Sequence, residues 1–427
     1  MNFSKLPTTD GRGIEQSYAD RLLCLSLDIG EAILESGGEV HRVEDTILHV
    51  CRAYGAVHVE VFAITSLIIA SVRMEDGGYS SQIRRVYHSS NQLSKLENFN
   101  RVSREACQKR PPLEELDRMI KTEKLRNKEQ PLWLSVLIYA LVGSTFAVLF
   151  GGSLWDSLAG ALVASLLAVV GSIRLDYINP LAKTLLLSFL AGVLSYASVL
   201  IGVGENADMI MIATIMLLIP GVAFGNAMRD LLCGDLLAGI LKTVQSCLSA
   251  ILIATGYSIA IFWLGSTVPQ GLENAGLHPG IVWIAALLGT VGYALLFDAK
   301  RKYLPIISLL GVLTYAIYEF SVRAEFSKFL AAFLAATFVT LCAEVCARIF
   351  RAPTVVFLLT APIVIVPGSS LYYTMNALIM QKNEQVSLHL ENLLQISIGM
   401  ASGIVAISVL VQGLLRFSAQ MKKKRKQ

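Results

Sequence analysis

The sequence predicts a mostly α-helical membrane protein, with about ten transmembrane helices as two inverted five-helix repeats, preceded by a small cytosolic α+β domain. Three observations carry that reading. Of 427 residues, 54% are hydrophobic and only 16% charged, where a soluble globular chain carries about 25% charged residues. The charge is also unevenly spread: residues 1–131 are polar and charge-rich, whereas 132–417 are a succession of long apolar runs. Finally, a Pro-Gly pair occurs twice inside those runs, as Pro220-Gly221 in IMLLIPGVAFGNAMRDLLCGD and as Pro367-Gly368 in APIVIVPGSSLYYTMNALI.

In chain order, the polar opening stretch lacks the apolar segment of a secretory signal, so none is expected. Residues 17–53 read as two helices parted by SGGE at Ser36–Glu39, the second with an apolar stripe of Val40, Val43, Ile47 and Val50. VHVEVF alternates as a strand, and SLIIASVRM and YSSQIRRVY flank the turn EDGG as a hairpin. Residues 91–109 and 112–128 are helical and lead into the first span. A domain of this size can hold its own core. His41, Arg42, Glu44 and Asp45 crowd the start of its second helix. They read either as a ligand- or proton-sensing cluster or as an acidic first turn favoured by the helix dipole.

Membrane helices fall near 132–150, 154–173, 181–203, 208–229 and 236–264 in a first repeat, residues 132–264. In a second, 279–417, they fall near 279–298, 304–322, 326–349, 353–373 and 388–416, each close to the ~20 residues a bilayer requires. Positive charge sets the orientation. With the N-terminal domain inside, the inner connections carry Arg174, Lys183, Arg229, Lys242, Lys300, Arg301, Lys302, Arg348 and Arg351, and the basic tail 418–427 lies inside too. The outer connections carry only Arg323, Lys328 and Lys382. Both termini are therefore expected in the cytoplasm.

A shift of 147 residues superposes the two Pro-Gly pairs and also pairs Met228 with Met375, Leu241 with Leu388, Ala254 with Ala401 and Gly256 with Gly403. Five spans per repeat is an odd number, so the second repeat enters the membrane from the opposite side. A Pro-Gly inside a span frees backbone groups that lipid cannot satisfy, and such a break survives only against protein or a polar cavity. Each break also begins a half-helix whose free amides present partial positive charge. Two such ends meeting near the midplane suit a carboxylate, and the whole suits a secondary transporter. The alternative is that each pair is a packing kink.

The polar residues near the breaks are the candidate site. Pro220, Gly221, Asn226 and Arg229 from the first half, with Pro367, Gly368, Tyr372, Tyr373 and Asn376 from the second, are expected to bind substrate; Asp230 and Asp235 are expected to couple protons. An interfacial ion pair is the other reading of Arg229 and Asp230. Glu344 reads as paired with Arg348, Glu319 as reaching the outer interface, and Asn392, Gln395 and Gln245 as hydrogen bonds between helices.

The chain has seven cysteines and no CxxC pair; Cys342 and Cys346, four apart on one helix face, read as packing residues. Disulfides are not expected among Cys24, Cys51 and Cys107 of a cytosolic domain. No P-loop, HExxH or GxSxG occurs. Neither a metal, a cofactor nor a nucleic-acid partner is expected, and an enzyme would need a nucleophile–base set or a metal cluster.

The stretches SGGEVHRVEDTI, IPGVAFGNAMRDLLCGDLLAG and IVPGSSLYYTMNALI resemble the threonine/serine exporter family, over nearly the whole chain. The chain is similar to that family's N-terminal unit, a cytosolic domain plus five spans, joined to its C-terminal five-span unit. The family's Pro-Gly-then-Asp-Leu pattern matches Pro220, Gly221, Asp230, Leu231 and Gly234, and its Arg-Val-Glu pattern Arg42, Val43 and Glu44. The resemblance implies export of threonine or serine across a bacterial inner membrane, driven by the proton motive force. Two-component forms of the family imply dicarboxylates as the alternative substrate. Expected partners are thus a small carboxylate-bearing solute, protons and the lipid bilayer, with a homo-oligomer left open. The reading from a different class is a membrane-embedded sensor or enzyme working through the cytosolic domain.

Overall fold

The computed structural model describes residues 17–87, 90–126, 130–173, 179–218, 227–228, 230–231, 234–264, 276–379 and 381–424, and the chain divides into two units after Lys128. In the first unit, α1 (Tyr18–Glu35) and α2 (Val40–Ala53) precede an antiparallel sheet of β1 (Ala56–Ile64), β2 (Leu67–Met74) and β3 (Tyr79–Arg85). Two further helices follow, α3 (Leu93–Lys109) and α4 (Leu113–Arg126).

α1 is the hub of this unit. It buries Leu22, Leu23, Leu27, Ile29 and Ile33 completely, and it packs against α2, α3, α4 and the sheet. The expected SGGE break ends α1: Gly37 takes φ +84°, and the amides of Gly37 and Gly38 donate to the carbonyls of Leu34 and Ile33, the Schellman pattern. Gly30 lets α2 approach closely, since a Cβ there would lie 2.6 Å from Ile47. The alternation read in the strands turns Ile68, Ala70 and Val72 of β2 inward. On the other face, Phe62, Ile69 and Ile83 form one exposed cross-strand row.

The second unit is entirely helical among the described residues. Its first half comprises α5 (Leu132–Leu149), α6 (Leu154–Gly171), α7 (Pro180–Leu200), α8 (Ala207–Ile215) and α9 (Leu236–Leu264). The second half has α10 (Pro279–Leu296), α11 (Leu304–Arg323) and α12 (Lys328–Phe350). After these comes α13 (Val355–Thr360), prolonged by a 3₁₀ turn at Ala361–Ile365, then α14 (Gly368–Ile379) and α15 (Asn383–Lys424). Among the described residues, eight helices are long and apolar enough to cross a membrane. The segment 355–365 with 368–374 makes a ninth if its 54° bend lies within one span. The expected span at 208–229 is described only as α8 and five residues beyond it, so its Pro220-Gly221 break lies outside the described residues. α15 runs as helix into the basic segment expected as a tail.

Burial separates two kinds of helix. Each long helix buries only 33–44% of its apolar window, leaving rows of Leu, Ile and Val outward, as lipid-facing helices do. In α8, by contrast, Met209 through Ile215 are all buried, and so is every residue of α13. The short, interrupted segments thus occupy the centre, where protein rather than lipid meets their irregular backbone. All four tryptophans (Trp133, Trp155, Trp263 and Trp283) lie near the ends of long apolar helices, the position of an interfacial aromatic belt.

Glycine governs the tightest helix contacts. A Cβ on Gly256 of α9 would lie 2.6 Å from the Leu185 carbonyl of α7 and 2.9 Å from the Phe189 amide. One on Gly403 of α15 would lie 2.7 Å from the Phe333 carbonyl of α12 and 3.0 Å from the Thr337 amide. Small residues at such crossings let backbones approach and gain dispersion energy where no hydrophobic effect operates. α7 with α9 and α12 with α15 are accordingly among the most extensively packed pairs.

Candidate functional site

The two halves of the membrane unit meet at a cluster of tyrosines. α8 begins at Asn206, whose side-chain oxygen accepts from the amide of Asp208. That cap points the Asp208 carboxylate out of the first helical turn, where the helix dipole favours negative charge. Tyr257 of α9 donates its hydroxyl proton to Asp208 Oδ1 at 2.6 Å. The Tyr257 ring lies 5.6 Å from that of Tyr372 on α14, Tyr372 lies 5.4 Å from Tyr373, and Tyr373 stacks on His389 of α15 at 5.0 Å. Tyr196 of α7 shares the buried core that holds Tyr257 and Tyr372.

The second break positions this aromatic set. Val366 is extended and Pro367 follows, which ends the 3₁₀ turn; α14 then restarts at Gly368. Tyr372 comes one turn into the new helix, 2% exposed, and its hydroxyl has no hydrogen-bond partner among the described residues. Buried hydroxyls are nearly always paired, so this one is available to a group that enters the site. Near the first break, the Met216 carbonyl accepts from the Tyr293 hydroxyl of α10 at 2.8 Å. A helix of the second half therefore satisfies backbone that α8 leaves open.

Of the residues expected in the first half of the site, Pro220, Gly221, Asn226 and Arg229 lie outside the described residues, as does the side chain of Asn376. Pro367, Gly368, Tyr372 and Tyr373 come together at the second break. Asp230 is 7% exposed, and Lys242 Nζ donates to its Oδ2 at 2.6 Å. Asp235 precedes α9 and is half-buried; its amide donates to the Asp230 carbonyl and its carbonyl accepts from Gly239. This acidic pair belongs to the start of α9, whereas Tyr257 sits near its other end. Roughly 22 Å of helix separates Lys242 from Tyr257.

The other acids have structural partners. Asp156 is 2% exposed and accepts from three backbone amides, of Ser153 at 2.9 Å and of Glu205 and Asn206 at 2.8 Å each, which closes the N-terminus of α6 onto the loop before α8. Glu319 pairs with Arg323 and accepts from Trp283 Nε1 at 2.9 Å; Glu344 pairs with Arg348 at 3.0 Å. Asn392 accepts from Lys328 at 2.7 Å, the expected bond between helices, while Gln395 donates to Glu391 of its own helix.

In the first unit the His41 cluster divides. Glu44 accepts from the Ala63 amide at 2.8 Å and so fixes α2 to the end of β1. His41 is exposed and reaches Asp45 at 3.5 Å. Arg42, Asp45, Thr46 and His49 face Ser103, Arg104 and Cys107 of α3 across an open groove of about 280 Å³. No group of three or more metal-ligating side chains occurs among the described residues.

Sequence reasoning missed Asp208, Tyr257, Tyr196 and His389. Asp208 stands where an acid commonly serves the helix dipole, and Tyr257 is a lone tyrosine in an apolar run. Only the packing of α8 against its neighbours brings them to the second break.

A buried pair of short segments among long apolar helices, following an α+β unit in the chain, defines a multi-pass membrane protein. The family described as "Putative threonine/serine exporter" matches residues 25–263, and "Threonine/Serine exporter, ThrE" matches 282–410. The chain belongs to the threonine/serine exporter family. A Mycobacterium tuberculosis protein named "Probable threonine/serine exporter" is 21% identical over 268 residues, 62% of this chain and 49% of its own. "Pheromone-regulated membrane protein 10" of Kluyveromyces lactis is 23% identical over 357 residues, 78% of this chain and 36% of its own. The chain thus spans half or less of the length of these curated relatives. No solved structure matches it.

Proposed function

We propose that the protein is a secondary exporter of small carboxylate-bearing metabolites, threonine and serine foremost, driven by the proton gradient across a bacterial inner membrane. The observation that carries this reading, beside family membership, is the interrupted helix at Pro367. It lies buried in the centre of a membrane unit, and an unpaired tyrosine hydroxyl stands one turn beyond the break. The start of α14 offers backbone amides and the positive end of a helix dipole to a carboxylate. Tyr372 and Tyr373 supply the polar and aromatic wall. In this reading Pro220, Gly221, Asn226 and Arg229 furnish the matching half of the site, with Asn376, and Asp230 and Asp235 carry its inner-facing charge.

An inverted repeat has packing support. Gly256 and Gly403, which are 147 apart, each press on the third helix of their half, at residues 185–189 and 333–337. α8 and α13 are likewise the short buried segments at corresponding places. Such a repeat, with both termini in the cytoplasm, exchanges inner- and outer-facing states by rocking one half against the other.

Purified protein in liposomes loaded with labelled threonine, serine or succinate tests the reading. A pH gradient should drive efflux of threonine and serine and leave succinate behind. Movement of succinate alone would assign the protein to dicarboxylates, and retention of all three under a gradient would overturn the proposal.

A further inference from the structure

Four acids lie within or at the ends of the membrane helices with their charge already met. Asp156 holds three backbone amides, Asp230 faces Lys242, Glu319 faces Arg323, and Glu344 faces Arg348. Asp208 differs. Among the described residues no lysine, arginine or histidine is within ion-pair distance of it, and the only side chain that donates to its carboxylate is the neutral Tyr257. The groups facing it from neighbouring elements are neutral as well, apart from Asp156. α5 carries no charged residue, and α6 contributes Asp156, occupied by backbone amides. α7 contributes Tyr196, with Lys183 at its opposite end; α9 contributes Tyr257, with Lys242 likewise far away; α14 contributes Tyr372 and Tyr373. Glu205 in the preceding loop is exposed. A half-buried carboxylate with one neutral donor can be neutralised at little cost in lost partners. A carboxylate tied to a cation or to three amides cannot.

We infer that Asp208 is the carboxylate that takes up and releases the driving proton, and that its bond to Tyr257 links this proton to the broken helix at Pro367. The inference rests on the exporter reading above. When ionised, Asp208 accepts the Tyr257 hydroxyl and keeps that ring against Tyr372. When a proton adds to the carboxylate, no covalent bond of the tyrosine changes, but the charge-assisted bond becomes a neutral one of roughly half the strength. Tyr257 is then free to turn toward the buried, unpaired hydroxyl of Tyr372 on α14. The proton on α8 is thereby read by the segment that lines the substrate site. Asp208 lies in the first half and Tyr372 in the second, so the coupling crosses the plane along which the halves would rock.

Asp208→Asn mimics the protonated acid, and two measurements on the full chain in liposomes decide the matter. In the first, gradient-driven efflux of labelled threonine should fall at least roughly tenfold while threonine–threonine exchange without a gradient persists. Gradient-driven efflux at the unsubstituted level would overturn the inference, and loss of exchange as well would assign Asp208 to substrate passage or folding instead. The second measurement needs no substrate. Infrared difference spectra between neutral and acidic pH should contain a protonated-carboxyl band that disappears in Asp208→Asn and moves in Tyr257→Phe. A band that survives unchanged in Asp208→Asn would overturn the inference. If threonine is not transported at all but the band is lost in the variant, the exporter reading fails and the proton site stands.

Discussion

Single residues in this protein hold positions that chemistry makes expensive to change. Asp156 is the clearest. Its carboxylate serves three amides in a site 2% exposed, so Asp156→Ala leaves those donors unpaired and should cost about 3–5 kcal/mol. The thermal midpoint in detergent should drop correspondingly, and an unchanged midpoint would mean the amides find water. In the N-terminal unit, burial pushes the Cys51 thiol up to about 11 and the Tyr54 hydroxyl up to about 12. In both, the folded value lies above the unfolded one, so the fold prefers the neutral form. That stability is fully present below about pH 9 and is lost as pH rises through 11 and 12. The unfolding midpoint of the soluble unit, followed in the full-length protein, should therefore decline across this alkaline window. A flat profile would show that neither group is desolvated. At this scale the sequence was only partly legible. Glu44 reads from sequence as a dipole acid or part of a sensor, yet it caps the Ala63 amide, nineteen positions on. No local pattern reports a partner that the fold alone brings near.

Elements were the most legible level, because their signals are local. The four helices and three strands of the first unit follow from hydrophobic period, and SGGE marks the end of α1 because Gly37 must adopt positive φ. In the membrane unit apolar length marked the spans, but it could not tell a lipid-facing helix from a central one. α8 and α13 are apolar like their neighbours and differ in being short and, Asp208 apart, wholly buried. Proline gave the distinction. Pro367 sits between a 3₁₀ turn and α14, at a bend of 54°. Pro367→Ala restores a backbone donor and relieves the clash with the preceding turn, so the two segments should tend toward one continuous helix. Folding should be preserved and threonine efflux should fall by at least roughly tenfold, as expected when a site's geometry is displaced by an ångström. Full activity in this variant would make the break a packing kink. Gly256→Leu and Gly403→Leu should each destabilise the protein by about 1–3 kcal/mol through overpacking. Similar losses at the two positions would be the energetic counterpart of the repeat, and a loss at one alone would argue against it.

For the molecule as a whole, the division after Lys128 and the uneven charge fit one orientation. The soluble unit and the basic end of α15 should both face the cytoplasm. Protease added outside intact cells should leave residues 1–128 uncut, and cleavage there would invert the topology. The account's central claim is that substrate sits where α14 restarts after Pro367. A cysteine introduced at Ser369, in a background whose native cysteines are replaced, places a reporter on the first turn of that helix. In liposomes, saturating threonine should slow thiol modification of Ser369→Cys by about tenfold or more, while a solute without a carboxylate leaves the rate unchanged. Modification at the same rate with and without threonine, in protein that still transports it, would place the substrate elsewhere and contradict the account.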